Sequence, residues 1–182
     1  MSIINRIEDL VRDGRLSHIE PLDHSLAVKR NLLVSVGIRE LIEGPWQSKT
    51  VERRAYRLRA DLEAFAVGHV LGVSMTPYQH NNAYMGLLNP PERGFWDIRS
   101  RDPNPGLRVF GHFAAVDLFV ALVWHPRSLE VDGRLPLGDN RGLNWEIAKL
   151  QCEEAWNSLF PNDLPKIGEK IGEFISENRI LV

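Results

Sequence analysis

Three short segments near the middle of the chain set the strongest limit on what it can fold into: FWDIRS (95–100), LRVFGHF (107–113) and LFVALVW (118–124). In the first, Trp96 and Ile98 alternate with Asp97 and Arg99, the period of two that puts successive side chains on opposite faces of a strand. In the second, Arg108, Phe110 and His112 share one face. The third is apolar on both faces, as a strand buried inside a sheet must be. The turn-rich DPNPG at 102–106 ends the first strand. The connection AAVD (114–117) carries no Asn-Gly signal, so its turn type and register stay open. A β-hairpin or three-stranded antiparallel meander over 95–124 is the expectation.

Around it the pattern is helical. Ile3, Ile4, Ile7, Leu10 and Val11 recur at helical spacing up to Gly14. From Asp23, a suitable N-cap, HSLAVKRNLLVSVGIRELIE reads as a second helix that stops at Gly44-Pro45. Val51, Ala55, Leu58, Leu62, Phe65, Ala66 and His69 form the buried stripe of a third, with Arg53, Arg54 and Arg57 falling away from it and an end near Gly72. His69 reads as a core histidine. Residues 73–94 are dense in Pro, Asn and Gly and predict a long irregular connection. After another irregular loop at 125–141, Trp145, Ala148, Cys152, Ala155, Trp156 and Leu159 mark a helix closed by Pro161, and Ile167, Ile171, Phe174 and Ile175 a final short one.

No repeat or composition break divides the 182 residues, and 43% hydrophobic content is enough for one sizeable core. The expected fold class is therefore α+β: one helix-rich domain over 1–182 around a small antiparallel meander. Helices are expected within 3–72 and 143–176. Trp96, Trp124, Trp145 and Trp156 fall at core positions.

Glu8 and Asp9 interrupt the N-terminal apolar residues, unlike an export signal, and no run of about 18 apolar residues could cross a membrane. The single Cys152 forms no internal disulfide and fits a reducing cytoplasm. Glycine-rich phosphate loops, GxGxxG, GxSxG and HExxH are absent, which argues against nucleotide-binding and common hydrolase chemistry. No two of the six histidines share the helical spacing of a metal pair, so no cofactor or metal is expected.

A net charge of −2 confines any anion site to a local patch. Arginine outnumbers lysine 17 to 5, and arginine is the better bidentate phosphate ligand. Arg99, Arg101, Arg108, His112, His125 and Arg127 gather on and beside the strands. If these pair as a meander, Arg99, Arg108 and His112 share a face whose like charges an anion would relieve. The competing reading has the same arginines paired with Glu92, Asp97 and Asp102.

The run YRLRADLEAF, then GLLNPPERGFWDIRS, GLRVFGHF and LFVALVW, resembles the core of RelE/HigB-like bacterial toxins and their phage-derived relatives, over about residues 50–127. The corresponding features are the strand Trp96–Arg99, the strand Leu107–Phe113, the apolar strand Leu118–Trp124, and His125 with Arg127 after it. The resemblance implies metal-independent RNA cleavage by a toxin that an antitoxin-like protein neutralises. In that chemistry a 2′-hydroxyl attacks the adjacent phosphate, which requires a base, an acid and cations. By carry-over, Arg99 and Arg108 would hold the phosphate, and His125, or secondarily His112, would move the proton. Arg57, Arg101 and Arg127 would contact the RNA backbone. Two other readings stand beside it: a non-catalytic protein- or anion-binding module of phage or mobile-element origin, and an enzyme assembled from scattered residues including Asp23, His24, His80 and Asp117.

Overall fold

The apolar run at 118–124 lies inside a far larger sheet than a three-stranded meander. In the computed structural model, which describes residues 2–78, 82–139 and 141–182, eight strands form one mixed sheet. They are β1 (Leu16–His18), β2 (Asn31–Ser35), β3 (Leu71–Ser74), β4 (Met85–Leu87), β5 (Trp96–Ser100), β6 (Leu107–Ala115), β7 (Leu118–Pro126) and β8 (Arg179–Leu181), in the order β1-β2-β7-β6-β5-β4-β3-β8. The expected meander is its centre: β5-β6-β7 are antiparallel neighbours. β2 runs parallel to β7, and β3 runs parallel to both β4 and β8. The helix-rich α+β expectation is thus corrected to a mixed α/β class built on a single large sheet.

Four helices, α1 (Ile3–Arg12), α2 (Val36–Glu43), α3 (Lys49–Ala66) and α4 (Leu143–Leu159), cover the sheet on both faces. On one face, α2 and α3 bury Ile38, Leu41, Leu58, Leu62 and Phe65 against Leu32, Val34, Trp96, Ile98, Val109, Phe113 and Phe119. On the other, α1 and α4 bury Leu10, Trp145, Cys152 and Trp156 against Leu33, Phe95, Phe110, Val120 and Leu122. Alternate residues of β2, β5, β6 and β7 divide between the two cores, as a period of two requires. All four tryptophans assigned to the core are buried.

The expected helix over 23–43 is a short strand followed by a short helix. Leu32, Leu33 and Val34 are all buried because β2 has a helix layer on each side, and an apolar run this short has no period to separate strand from helix. α3 ends at Ala66, so His69 is exposed rather than in the core. Arg54, expected to point away, is buried and spans from Thr50 O (3.1 Å) to Pro105 O (3.0 Å) and Asn104 O (3.1 Å), tying α3 to the turn before β6. The connection 73–94 contains β4 and a 3-10 turn at Pro91–Arg93. The final helix reduces to a 3-10 turn at Ile171–Glu173, although Phe174 and Ile175 are buried in the core. A second cross-connection is Arg30, whose guanidinium donates to the carbonyls of Phe65, His69, Glu177 and Asn178 and so joins the end of α3 to the segment before β8.

β6 and β7 slip by one residue. Phe110 faces Val123 but Gly111 faces Ala121, leaving Leu122 as the extra residue of a β-bulge. Its carbonyl accepts from Ser35 Oγ at 2.7 Å. The bulge inverts the parity of β7 beyond it, so that Trp124 joins the α2/α3 core while His125 turns to the α4 face with Arg108. Gly111 makes this possible, since a Cβ there would lie 2.1 Å from Val120 O. G111A should therefore be destabilised by about 1–3 kcal/mol and unfold at a lower urea midpoint, because the obstacle is backbone and not a movable side chain. A midpoint equal to that of the parent protein would show that the bulge has room to spare.

Candidate functional site

The slipped register sets Arg99, Arg108 and His125 in one row across β5, β6 and β7: Arg99 is directly opposite Arg108, and Arg108 directly opposite His125. Directly opposed residues share a face. Asp97, two residues before Arg99, is on that face too, and it is 1% exposed. Arg99 Nε lies 3.2 Å from Asp97 Oδ1, and Arg108 Nε lies 3.1 Å from Oδ2. One buried carboxylate thus holds two guanidinium groups. Gly86, opposite Asp97 on β4, leaves the room: a Cβ there would meet Arg99 Nη2 at 2.4 Å.

Two more arginines border this pair. Arg101, just past the end of β5, donates to Asn82 Oδ1 (2.9 Å) and to Ala83 O (2.8 Å). Arg127, just past β7, donates to Gly138 O and lies 5.9 Å from the centre of the Trp145 ring. The guanidinium of Arg108 feels all three. Burial, opposed by Asp97 and reinforced by Arg99, Arg127 and Arg101, brings its pKa down to about 10. It stays charged at neutral pH. Four guanidinium groups around one buried carboxylate leave the region electropositive even with Asp102 nearby, and such a field concentrates anions.

His125 Nε2 donates a 2.9 Å hydrogen bond to Gln151 Oε1 of α4, and the ring packs edge-on against Phe110. Burial pushes its pKa below the usual imidazole value, so it is neutral near pH 7. His112 is on the same face but deeper, 2% exposed between Phe95 and Trp156, with Nδ1 2.8 Å from Gly94 O. Burial takes its pKa down to about 4. Sealed under α4, it is a neutral core histidine, and contact with a substrate is not available to it. Arg57 does not join the group either. It stands half-exposed on α3, across the sheet from Asp97, with Nε 3.0 Å from Asp61 Oδ1.

Among the described residues the scattered set does not assemble. Asp117 is engaged by Ser176 and Arg30, His24 is exposed beside a separate small cleft, and His80 lies outside the described residues. Among the described residues no three His, Cys, Asp or Glu side chains are grouped to hold a metal ion, and no helix is long and apolar enough to cross a membrane. Comparison with family models, with curated proteins and with solved structures finds no match.

Sequence reasoning named Asp97 as one carboxylate among three; its burial beneath both arginines makes it the centre. Gly86 was missed, because only the β4–β5 register shows what its missing side chain makes room for.

Removing one partner from a buried ion pair costs about 3–5 kcal/mol. D97N should lower stability on that scale in urea unfolding, and an unaltered midpoint would count against Asp97 as the anchor. His112 gives a pH signature. Its folded pKa lies below that of free imidazole, so its contribution is complete above about pH 6.5 and is lost as pH falls towards 4. Between pH 7 and pH 5 this amounts to roughly 2 kcal/mol. His112→Gln, less stable than the parent at pH 7, should lose less on acidification; equal losses in the two proteins would show that His112 is not the group responsible.

Proposed function

We propose that the protein is a binding module for a phosphate-bearing ligand, recognised by the cluster of Arg99, Arg101, Arg108 and Arg127. The observation that carries this reading is the pairing of Arg99 and Arg108 on one buried carboxylate, Asp97, in a row across neighbouring strands. Asp97 fixes the Nε edges of Arg99 and Arg108, which restricts their side chains before any ligand arrives and lowers the entropy lost on binding. Guanidinium groups match phosphate oxygens in charge and planar geometry. We place this activity in a reducing cytoplasm, on the buried single thiol of Cys152.

A second reading, metal-independent RNA cleavage of the RelE/HigB type with an antitoxin-like partner, draws on His125. It stands in the same row as both arginines and is neutral near pH 7, the state a general base requires. Under it Arg99 and Arg108 hold the scissile phosphate and His125 moves the proton.

Titration at low salt with inorganic phosphate and with a labelled single-stranded RNA separates the two. Saturable binding of phosphate, competed by RNA and weakened about tenfold or more in R101A/R127A, is the expected result, with affinity falling as salt rises. Absence of binding by either probe would overturn the proposal. RNA cleavage that disappears in H125Q would move the assignment to the second reading.

A further inference from the structure

On the face of the sheet opposite the arginine row the structure holds a cleft. α2, the start of α3, Trp124 and a hairpin at 131–134 enclose a cleft of about 490 Å³, within the size range of small-ligand sites. Its walls are held from behind. Trp46 Nε1 donates to Leu41 O at 2.7 Å, and the indole packs edge-on against Tyr56 at 5.1 Å between centres. Gly44, at φ +77°, brings the backbone so close that a Cβ there would touch the Trp46 ring at 3.0 Å. Across the cleft, Asp132 (φ 52°) and Gly133 (φ 70°) make a two-residue turn that closes a bridge between Val131 and Arg134.

The chemistry of the lining is that of a cation site. Arg134 already places a guanidinium 4.4 Å over the Trp124 ring, so the cleft contains one working cation–π contact of its own. Glu40 and Asp132 also line it; Asp132 interacts electrostatically with Arg134, and Glu40 makes no ion pair within 4.0 Å among the described residues. Two carboxylates against one guanidinium leave an excess negative charge on the cleft lining that includes Trp46. A bare metal ion would gain nothing from the two indoles, and an anion would meet the carboxylates. A ligand with a flat apolar body and a protonated nitrogen satisfies both parts of the wall.

We propose that the cleft formed by Glu40, Trp46, Trp124, Asp132 and Arg134 binds a small organic cation of the arylalkylamine class. The ring stacks on Trp46, and the ammonium group lies between Glu40 and Asp132. This site is independent of the arginine cluster, because Trp124 and His125 point to opposite faces of β7.

Calorimetric titration of the full chain with tyramine, and with 4-hydroxyphenylpropionate as the anion of similar shape, tests it. Tyramine should bind saturably at one site, and the anion should not. Both carboxylates are on exposed residues, so E40Q/D132N should fold normally while weakening tyramine about tenfold or more. Phosphate titrated into the same variant should respond as in the parent, which separates this proposal from the anion site. Equal affinity for the two probes, no effect of E40Q/D132N, or no saturable heat with millimolar tyramine would each overturn it.

Discussion

A carboxylate buried to 1% exposure in the middle of a sheet has to be compensated where it stands, and the compensation of Asp97 organises everything near it. Its two oxygens share the Nε–H of Arg99 from its own strand, and Oδ2 also takes the Nε of Arg108 from the next. Those two arginines are directly opposed across β5 and β6, a placement that would repel without the shared counter-ion. β4 accommodates them by carrying Gly86 at the matching position. Charge balance at one atom group therefore dictates residue choice on three strands, with Arg101 and Arg127 bordering the pair at the strand ends.

The bulge at Leu122 connects the two halves of the molecule's chemistry. By inverting the parity of β7 it sends neighbouring residues to different environments: Trp124 to the cleft beside α2, His125 to the arginine row on the α4 face of the sheet. The loop that follows serves both faces as well. Arg127 and Gly138 belong to the arginine side, while Asp132 and Arg134 line the cleft. The stretch 122–138 supplies residues to both faces of the sheet, although most of it is neither helix nor strand.

Much of the central sheet was legible in the sequence because a period of two states the face of every residue directly. The separation of Trp96 and Ile98 from Asp97 and Arg99, and the grouping of Arg108 with His112, hold in three dimensions. The stripe of α4 held for the same reason at helical period. β1, β3, β4 and β8 were not legible, since three or four residues are too few to display a period and their partners are far away in sequence. Arg57 failed on a different ground: no pattern within a helix tells which side of the sheet the helix will cover. His112 was placed on the correct face, but how deep α4 would bury it depends on packing across elements rather than on spacing.

The strand order carries a consequence for how the chain reaches this state. β2 pairs with β7 through Asn31 and Leu118, and β3 with β8 through Leu71 and Arg179, contacts on the order of a hundred residues apart. Closing loops of that length precedes any gain from the pairing, so the topology favours slow folding over fast. The antiparallel β5-β6-β7 unit is the part of the sheet whose strands lie next to one another in sequence. A nascent chain can therefore form its charged row early, while the outer edge of β3 and the carbonyl cradle of Arg30 wait for residues 177–181. The interval between those two events is when β3 stands open to pairing with another chain.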